Sequence, residues 1–314
     1  LRGIAGGSLV VSLSILLNAG LLYPATGGCG THPLYQGRGL PVTDTRSLSP
    51  GRPQSPGIIH DTLRHAIPDS REIFLSMFPW HWKRHSTALI IAGVTVPLAW
   101  RKEEVQEFVS GKEGDSFAFV DRDALYTHLE PLGGHLIVPA ISGMFLLGGL
   151  IGGSRREVET GTMLVESLVF TGIPTLLGQF IFSERRPSDG GNLRFFQIGG
   201  HGVSGHAAIS SSIVRPLESQ YLTLSEDDQT SVTIFKCLGK GILYGSPLMV
   251  GISRVRSNRH YVWNVVLGLS AGYFTGDLVV RVHRHRRDRN RIERVLHAWR
   301  LSPGPGGISV TKKW

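Results

Sequence analysis

The 314-residue chain holds only two cysteines, Cys29 and Cys237, far apart and without metal-ligand spacing. Neither a disulfide framework nor a cysteine-based zinc site is therefore expected. Charge is scarce as well: Asp, Glu, Lys and Arg make up 18% of the residues, where ordinary soluble domains carry about a quarter. The shortage leans the chain toward membrane association. Acidic residues are the rarer sign, 24 against 33 Lys and Arg, and the net charge of +9 points to anionic partners such as phosphate esters or anionic lipid. Strand-like alternation of period two is sparse and no short repeat recurs, which disfavours a sheet protein. No recognisable nucleic-acid module accompanies the basic segments, so no nucleic-acid partner is expected.

What is present is a series of apolar runs. After Arg2 no formally charged residue appears until Arg38, and "SLVVSLSILLNAGLLYPA" (8–25) is strongly apolar. Residues 1–25 read as a signal peptide or an uncleaved membrane anchor. "ATGGC" around Cys29 loosely resembles a lipoprotein cleavage site, and cleavage and lipidation both stay open. Residues 26–70, rich in Pro, Gly, Ser and Thr, read as a linker. From 71 to 280 apolar helices alternate with short polar connections, with candidates at 86–100, 136–153, 161–183, 206–218, 232–252 and 261–280. An all-α helical bundle is the natural fold class.

Two of these runs reach the ~18 residues that a membrane span needs. Others are shorter or carry charge (Glu166, Arg215, Lys236 and Lys240), and mean hydropathy is only +0.03. Integral and peripheral association both remain open. "SRREVE" opens the 161–183 helix, and a basic C-terminal tail (281–314) begins with eight arginines in the twenty residues 281–300. If both helices span a bilayer, the positive-inside tendency puts these ends in the cytoplasm. The opposite ends, near Arg186 and His260, then share the outer face.

Three polar clusters sit at ends of apolar helices. "SERRPSDGG" (183–191) carries Arg186-Pro187, with the proline as a helix stop. "HGVSGHAAISSS" (201–212) places Ser204 between two glycines and just before a helix, so backbone N–H groups and a hydroxyl form an anion cradle. "SRVRSNRHYVWN" (253–264) crowds Arg254, Arg256, Arg259 and His260 together, with Asn264 one helical turn beyond the histidine. Each alone is ambiguous, since a helix stop, a polar surface and a solvated charge run would look the same.

In this order the three clusters closely resemble the signature of the type 2 phosphatidic acid phosphatase (PAP2) family, which shares its fold and anion site with the vanadium haloperoxidases. The family pattern is Lys, six residues, Arg-Pro; then Pro-Ser-Gly-His; then Ser-Arg, five residues, His, three residues, Asp. Arg186, Ser204, Gly205, His206, Ser253, Arg254 and His260 match it, over a resemblance spanning about 160–280. Three positions depart: Gln179 stands for the lysine, Val203 for the proline and Asn264 for the aspartate.

The resemblance implies a membrane-associated bundle that removes phosphate from a lipid phosphate or pyrophosphate through a phosphohistidine intermediate. His260 would be the nucleophile, and His206 would protonate the leaving alkoxide. Arg186 and Arg254 would hold the phosphoryl group, with hydrogen bonds from Ser204, the Gly205 N–H and Gln179. No metal or other cofactor is expected. Asn264 would orient His260 without supplying a countercharge, and the same exchange in a serine-protease triad lowers turnover by about 10⁴-fold. Three readings follow: an enzyme, weakened or not; a non-catalytic phosphate- or lipid-binding relative; and, third, a vanadate-dependent haloperoxidase. The expected location is the cell envelope, with the site on the extracytoplasmic side.

Overall fold

The longest apolar stretches become the longest helices. The computed structural model describes residues 57–77, 82–110, 130–134, 136–304 and 307–312. The described residues belong to one compact unit, Pro56–Trp314. The expected signal or anchor (1–25), Cys29 and the first part of the linker lie outside them. Helices α1 (Gly57–Met77), α2 (Trp82–Trp100) and α3 (Lys102–Ser110) lead in. A 3₁₀ turn at Glu130–Gly133 precedes α4 (Ile137–Gly152) and α5 (Arg155–Ile181). A short hairpin, β1 (Phe182–Glu184) and β2 (Leu193–Phe195), then gives way to α6 (Gly205–Ser212), α7 (Val214–Tyr221), α8 (Thr230–Arg256) and α9 (Val262–Ala298). A second antiparallel hairpin, β3 (Trp299–Gly304) with β4 (Gly307–Lys312), ends the described chain. The described residues form an all-α bundle with two small hairpins.

Two expected boundaries move. The linker is expected to run over 26–70, yet α1 starts at Gly57 because the Pro-rich composition stops at Pro56 and apolar residues take over. Ile73 of α1 is fully buried in a core with Met163, Phe170, Val279 and Val280. The basic tail is expected to begin at 281, but α9 runs through that point unbroken. Its arginines find acidic partners on neighbouring helices: Arg286 bonds Asp69, Arg287 Nε lies 3.6 Å from Glu159 and Arg289 Nη2 lies 3.5 Å from Glu72. Three arginines of the run thus reach α1 and α5, while Arg281, Arg284, Arg287 and Arg289 stay exposed.

Helix α6 is pressed into α9 by a stripe of small residues. A Cβ on Gly268, Gly272 or Gly276 would lie 2.4, 2.0 or 2.5 Å from the carbonyl oxygen of Ser204, Ala208 or Ser212 respectively. Glycines spaced four apart on one helical face let two backbones approach this closely. The contact fixes the height of Ser204 relative to α9.

Helices α5 and α9 run antiparallel. Phe182, just after α5, packs edge-on against Trp263 at the start of α9, with centroids 5.7 Å apart. Glu166, in the first half of α5, meets His283 far along α9, Oε2 to Nε2 2.6 Å. At 1.5 Å rise per residue, Trp263 and His283 lie about 30 Å apart, the thickness of a bilayer's hydrocarbon core. By length and composition both helices can cross a membrane. Large apolar side chains also face outward, among them Leu147, Ile151, Val169, Leu176, Phe235 and Ile242.

Candidate functional site

Helix α8 ends inside the arginine-rich motif, and its unwinding places Arg254 beside His260. The Arg254 carbonyl accepts the N–H groups of Arg259 (3.1 Å) and His260 (3.2 Å), folding the chain back on itself. Asn258 supplies the reversal with φ of 53°, a conformation that asparagine tolerates better than most residues. Gln106 of α3 locks the turn by donating to Asn258 Oδ1 and to the Val255 carbonyl, both at 2.8 Å. Arg254 and His260 are buried, whereas Arg259 is exposed. The arginines of the motif are thus divided between interior and surface.

The Ser-Gly-His motif approaches from the other side. Helix α6 begins at Gly205, with Ser204 at its N-cap position. The Ser204 N–H donates to the Asn264 carbonyl at 3.0 Å, tying the loop to the start of α9. Ser204 is fully buried, and its hydroxyl has no partner among the described residues. Gly202 is obligatory, since a Cβ there would lie 1.6 Å from the Phe182 carbonyl oxygen. His201, just before it, holds the His260 ring, carbonyl oxygen to Nδ1 at 3.1 Å. A carbonyl oxygen can only accept, so in the neutral ring Nδ1 carries the proton and Nε2 holds the free lone pair.

Arg186 follows β1. The Arg-Pro pair is expected to close the preceding helix, but α5 ends at Ile181 and the chain first makes β1. Pro187 opens a 3₁₀ turn instead, where its fixed φ fits and its missing N–H costs nothing. The Arg186 carbonyl accepts the Asp189 and Gly191 N–H groups at 2.9 and 3.1 Å. Its Nε is buried without an acceptor among the described residues.

The two altered motif positions behave differently from expectation. Gln179 Nε2 donates to the Val203 carbonyl at 3.0 Å, so this amide braces the loop before Ser204. Asn264 is expected to accept a bond from His260. Its Nδ2 instead donates to Glu184 Oε2 at 2.9 Å, and its buried Oδ1 accepts nothing from the described residues. Glu184 is 1% exposed, and its other oxygen accepts from Lys102 Nζ of α3 at 2.8 Å. Lys102 also donates to the Gly191 carbonyl and lies over the Tyr261 ring, 4.9 Å from its centroid.

The electrostatics favour a neutral His260. Burial, then the Arg254 charge and the neighbouring His201 and His206, push the His260 imidazolium down to about 3. Burial and the Arg186 charge lower His201 as well. His201 thus feels Arg186, and His260 feels Arg254, His201 and His206. Burial raises the Glu184 carboxyl, while Lys102 and Asn264 oppose that rise.

A second polar cluster lies farther along α9. Asp69, Glu166 and His283 each offer one ligand atom within 4.8 Å of the others. Arg286 bonds both Asp69 and His283 Nδ1, so the cluster contains its own cation and reads as an ion-pair knot joining α1, α5 and α9.

Sequence reasoning overlooked His201 as the partner of His260, and it passed over Glu184 and Lys102. "SERRP" offered one signal, a glutamate two residues before Arg186 at the end of an apolar helix. Lys102 offered none, being 82 residues from its carboxylate.

Residues 162–288 match the family model of the PAP2 superfamily. They include all three motifs, whereas Lys102 lies before them, and this segment is what the chain shares with that superfamily. Among solved structures, the crystal structure of Aquifex aeolicus LpxE aligns with 57% of this chain and 93% of its own, at 16% identity and a TM-score of 0.39. No curated protein matches the chain.

Proposed function

We propose that this chain is a membrane-associated phosphohydrolase acting on a lipid phosphate or pyrophosphate, with His260 as the nucleophile. One observation carries the reading. His260 is buried and held neutral, with Nδ1–H committed to the His201 carbonyl and Arg254 alongside. An imidazole in that state offers Nε2 to an electrophilic phosphorus.

In the reaction, Nε2 attacks phosphorus, a P–N bond forms and the P–O bond to the leaving alkoxide breaks. His206 gives that alkoxide a proton. His206 then takes a proton from water, which attacks phosphorus, and the P–N bond breaks to release phosphate. Arg186 and Arg254 balance the spreading charge, and the Ser204 hydroxyl and Gly205 N–H donate to phosphoryl oxygens. The positive charge this transition state needs is available from arginine alone.

The membrane part of the proposal rests on the two apolar helices and on the outward apolar side chains of α4, α5 and α8. Because α5 and α9 are antiparallel, Arg155, Arg156 and the basic end of α9 share one side, with His260 and Arg186 at the other. The positive-inside tendency then gives the site an extracytoplasmic face. The functional region runs from α1 through α9.

A second reading, a relative that binds phosphate without turnover, draws support from Asn264, which supplies neither charge nor hydrogen bond to His260. Phosphate release from phosphatidate and from an isoprenoid pyrophosphate in mixed micelles separates the two, with His260→Ala as control. A His260-dependent release supports the enzyme. Equal background from both proteins, with phosphate still protecting the fold, supports the binding relative.

A further inference from the structure

The family's lysine and aspartate are both missing from their motif positions, yet a half-buried lysine and a buried carboxylate stand next to the site. Lys102 comes from α3 and Glu184 from β1, and they meet at 2.8 Å. The Glu184 side chain is wholly buried and that of Lys102 is half-buried, at 17% exposure. Asn264 reaches the second carboxylate oxygen at 2.9 Å. The carboxylate thus clamps three separate segments, α3, β1 and the start of α9.

Two backbone bonds extend that clamp to the reacting groups. The Glu184 carbonyl accepts the His201 N–H at 2.9 Å, and the His201 carbonyl faces His260 Nδ1 at 3.1 Å. The Asn264 carbonyl accepts the Ser204 N–H at 3.0 Å. Arg186 follows Glu184 by two residues on the same strand exit. His260, Ser204 and Arg186 are therefore each one or two links from Glu184.

We propose that Glu184, anchored by Lys102, is the positioning carboxylate of this site, fixing Asn264 and the His201 carbonyl that sets the His260 tautomer. It acts from β1, where the family places its carboxylate on α9, and Asn264 is the amide that suits this arrangement. An aspartate at 264 would bring a second carboxylate against Glu184, whereas the asparagine N–H completes a bond to it. The asparagine at 264 and the carboxylate on β1 are then parts of one rearrangement, and the inference rests on the phosphohydrolase reading for its kinetic consequences.

The test exchanges donor and acceptor across one hydrogen bond. Full-length wild type, Glu184→Gln, Asn264→Asp and the double variant are purified in detergent and assayed for phosphate release from phosphatidate. Each single variant should lower kcat roughly 10- to 100-fold, the size of effect seen when a partner that orients a metal-bound histidine is removed, with KM changed less than about twofold. The double variant, in which the new carboxylate on α9 accepts from the new amide on β1, should recover most of that loss. Ring ¹⁵N shifts of His260, assigned against His260→Gln, should show the proton on Nδ1 in wild type and a mixture of tautomers in Glu184→Gln. A folded Glu184→Gln that keeps kcat within twofold overturns the proposal. So does a wild-type His260 protonated on Nε2, a measurement that stands even where Glu184→Gln fails to fold. If wild type releases no more phosphate than His260→Ala, the phosphohydrolase reading fails, and the tautomer in wild type and Glu184→Gln decides the role of Glu184 alone.

Discussion

Replacing His260 with asparagine isolates one titration that the fold imposes. The ring is 6% exposed and sits in the field of Arg254, and these surroundings push its imidazolium to about 3, where an unfolded histidine titrates near 6.5. The folded state therefore holds the neutral ring while the unfolded chain takes up a proton. The contribution is complete above about pH 6.5 and is lost as pH falls toward 3. At about 1.4 kcal/mol per pH unit, the drop from pH 7.5 to pH 5 takes about 2 kcal/mol from this residue alone. The His260→Asn side chain would keep an N–H for the His201 carbonyl without any titration. Urea or thermal unfolding in detergent, run at both pH values, should show the wild type losing about 2 kcal/mol more than the variant. Saturating inorganic phosphate should narrow that gap, because an anion beside Arg254 offsets the field that resists protonation. Equal acid sensitivity in both proteins would refute the buried, neutral histidine and the nucleophile assigned to it.

Other consequences are simpler to state. Gly272→Ala sets a Cβ 2.0 Å from the Ala208 carbonyl oxygen, and circular-dichroism melting should show a loss of about 2 kcal/mol or more. Gly148→Ala, with nothing within 4 Å, should be neutral or stabilising by up to about 1 kcal/mol. Asp69→Ala strands Arg286 between α1 and α9 with only Glu159 nearby among the described carboxylates, 3.9 Å away, and should cost about 3 kcal/mol in urea unfolding. Arg254→Lys keeps the charge and loses the planar fork, so steady-state kinetics should show kcat/KM falling by more than about tenfold with global stability little changed.

The fold was legible where one physical requirement dominated. Apolar length alone marks α5 and α9, because a run of that size has few other places to go. Shorter signals fared worse. The expected helix at 206–218 breaks at Ile213 into α6 and α7, and a count of apolar residues cannot see the rigid stripe on α9 that holds α6. The arginine-rich run is mostly exposed, yet its pairing with three distant carboxylates is invisible when each residue is judged alone. Asp69, Glu72 and Glu159, which pair with it, are more than 120 positions away.

The site shows the same divide between local and distant causes. Ser204, Arg254 and His260 are readable because their spacing is set by local turns, and a turn imposes its residue types on the chain. The role of Asn264 is not local. Judged by spacing, it is a weakened aspartate one turn from a histidine. Judged by its surroundings, it is a hydrogen-bond donor facing a carboxylate, and in that position an aspartate would be the poorer residue. The same substitution therefore changes sign as a clue once Glu184 is known. Low-dielectric surroundings sharpen this sign, because a buried carboxylate tolerates one donor more readily than one more like charge. A buried site of this kind requires a pattern of donors and acceptors, and the residue carrying each part can move between elements. Replacing Asn264 by the family's aspartate should on that account impair this protein unless Glu184 is changed with it.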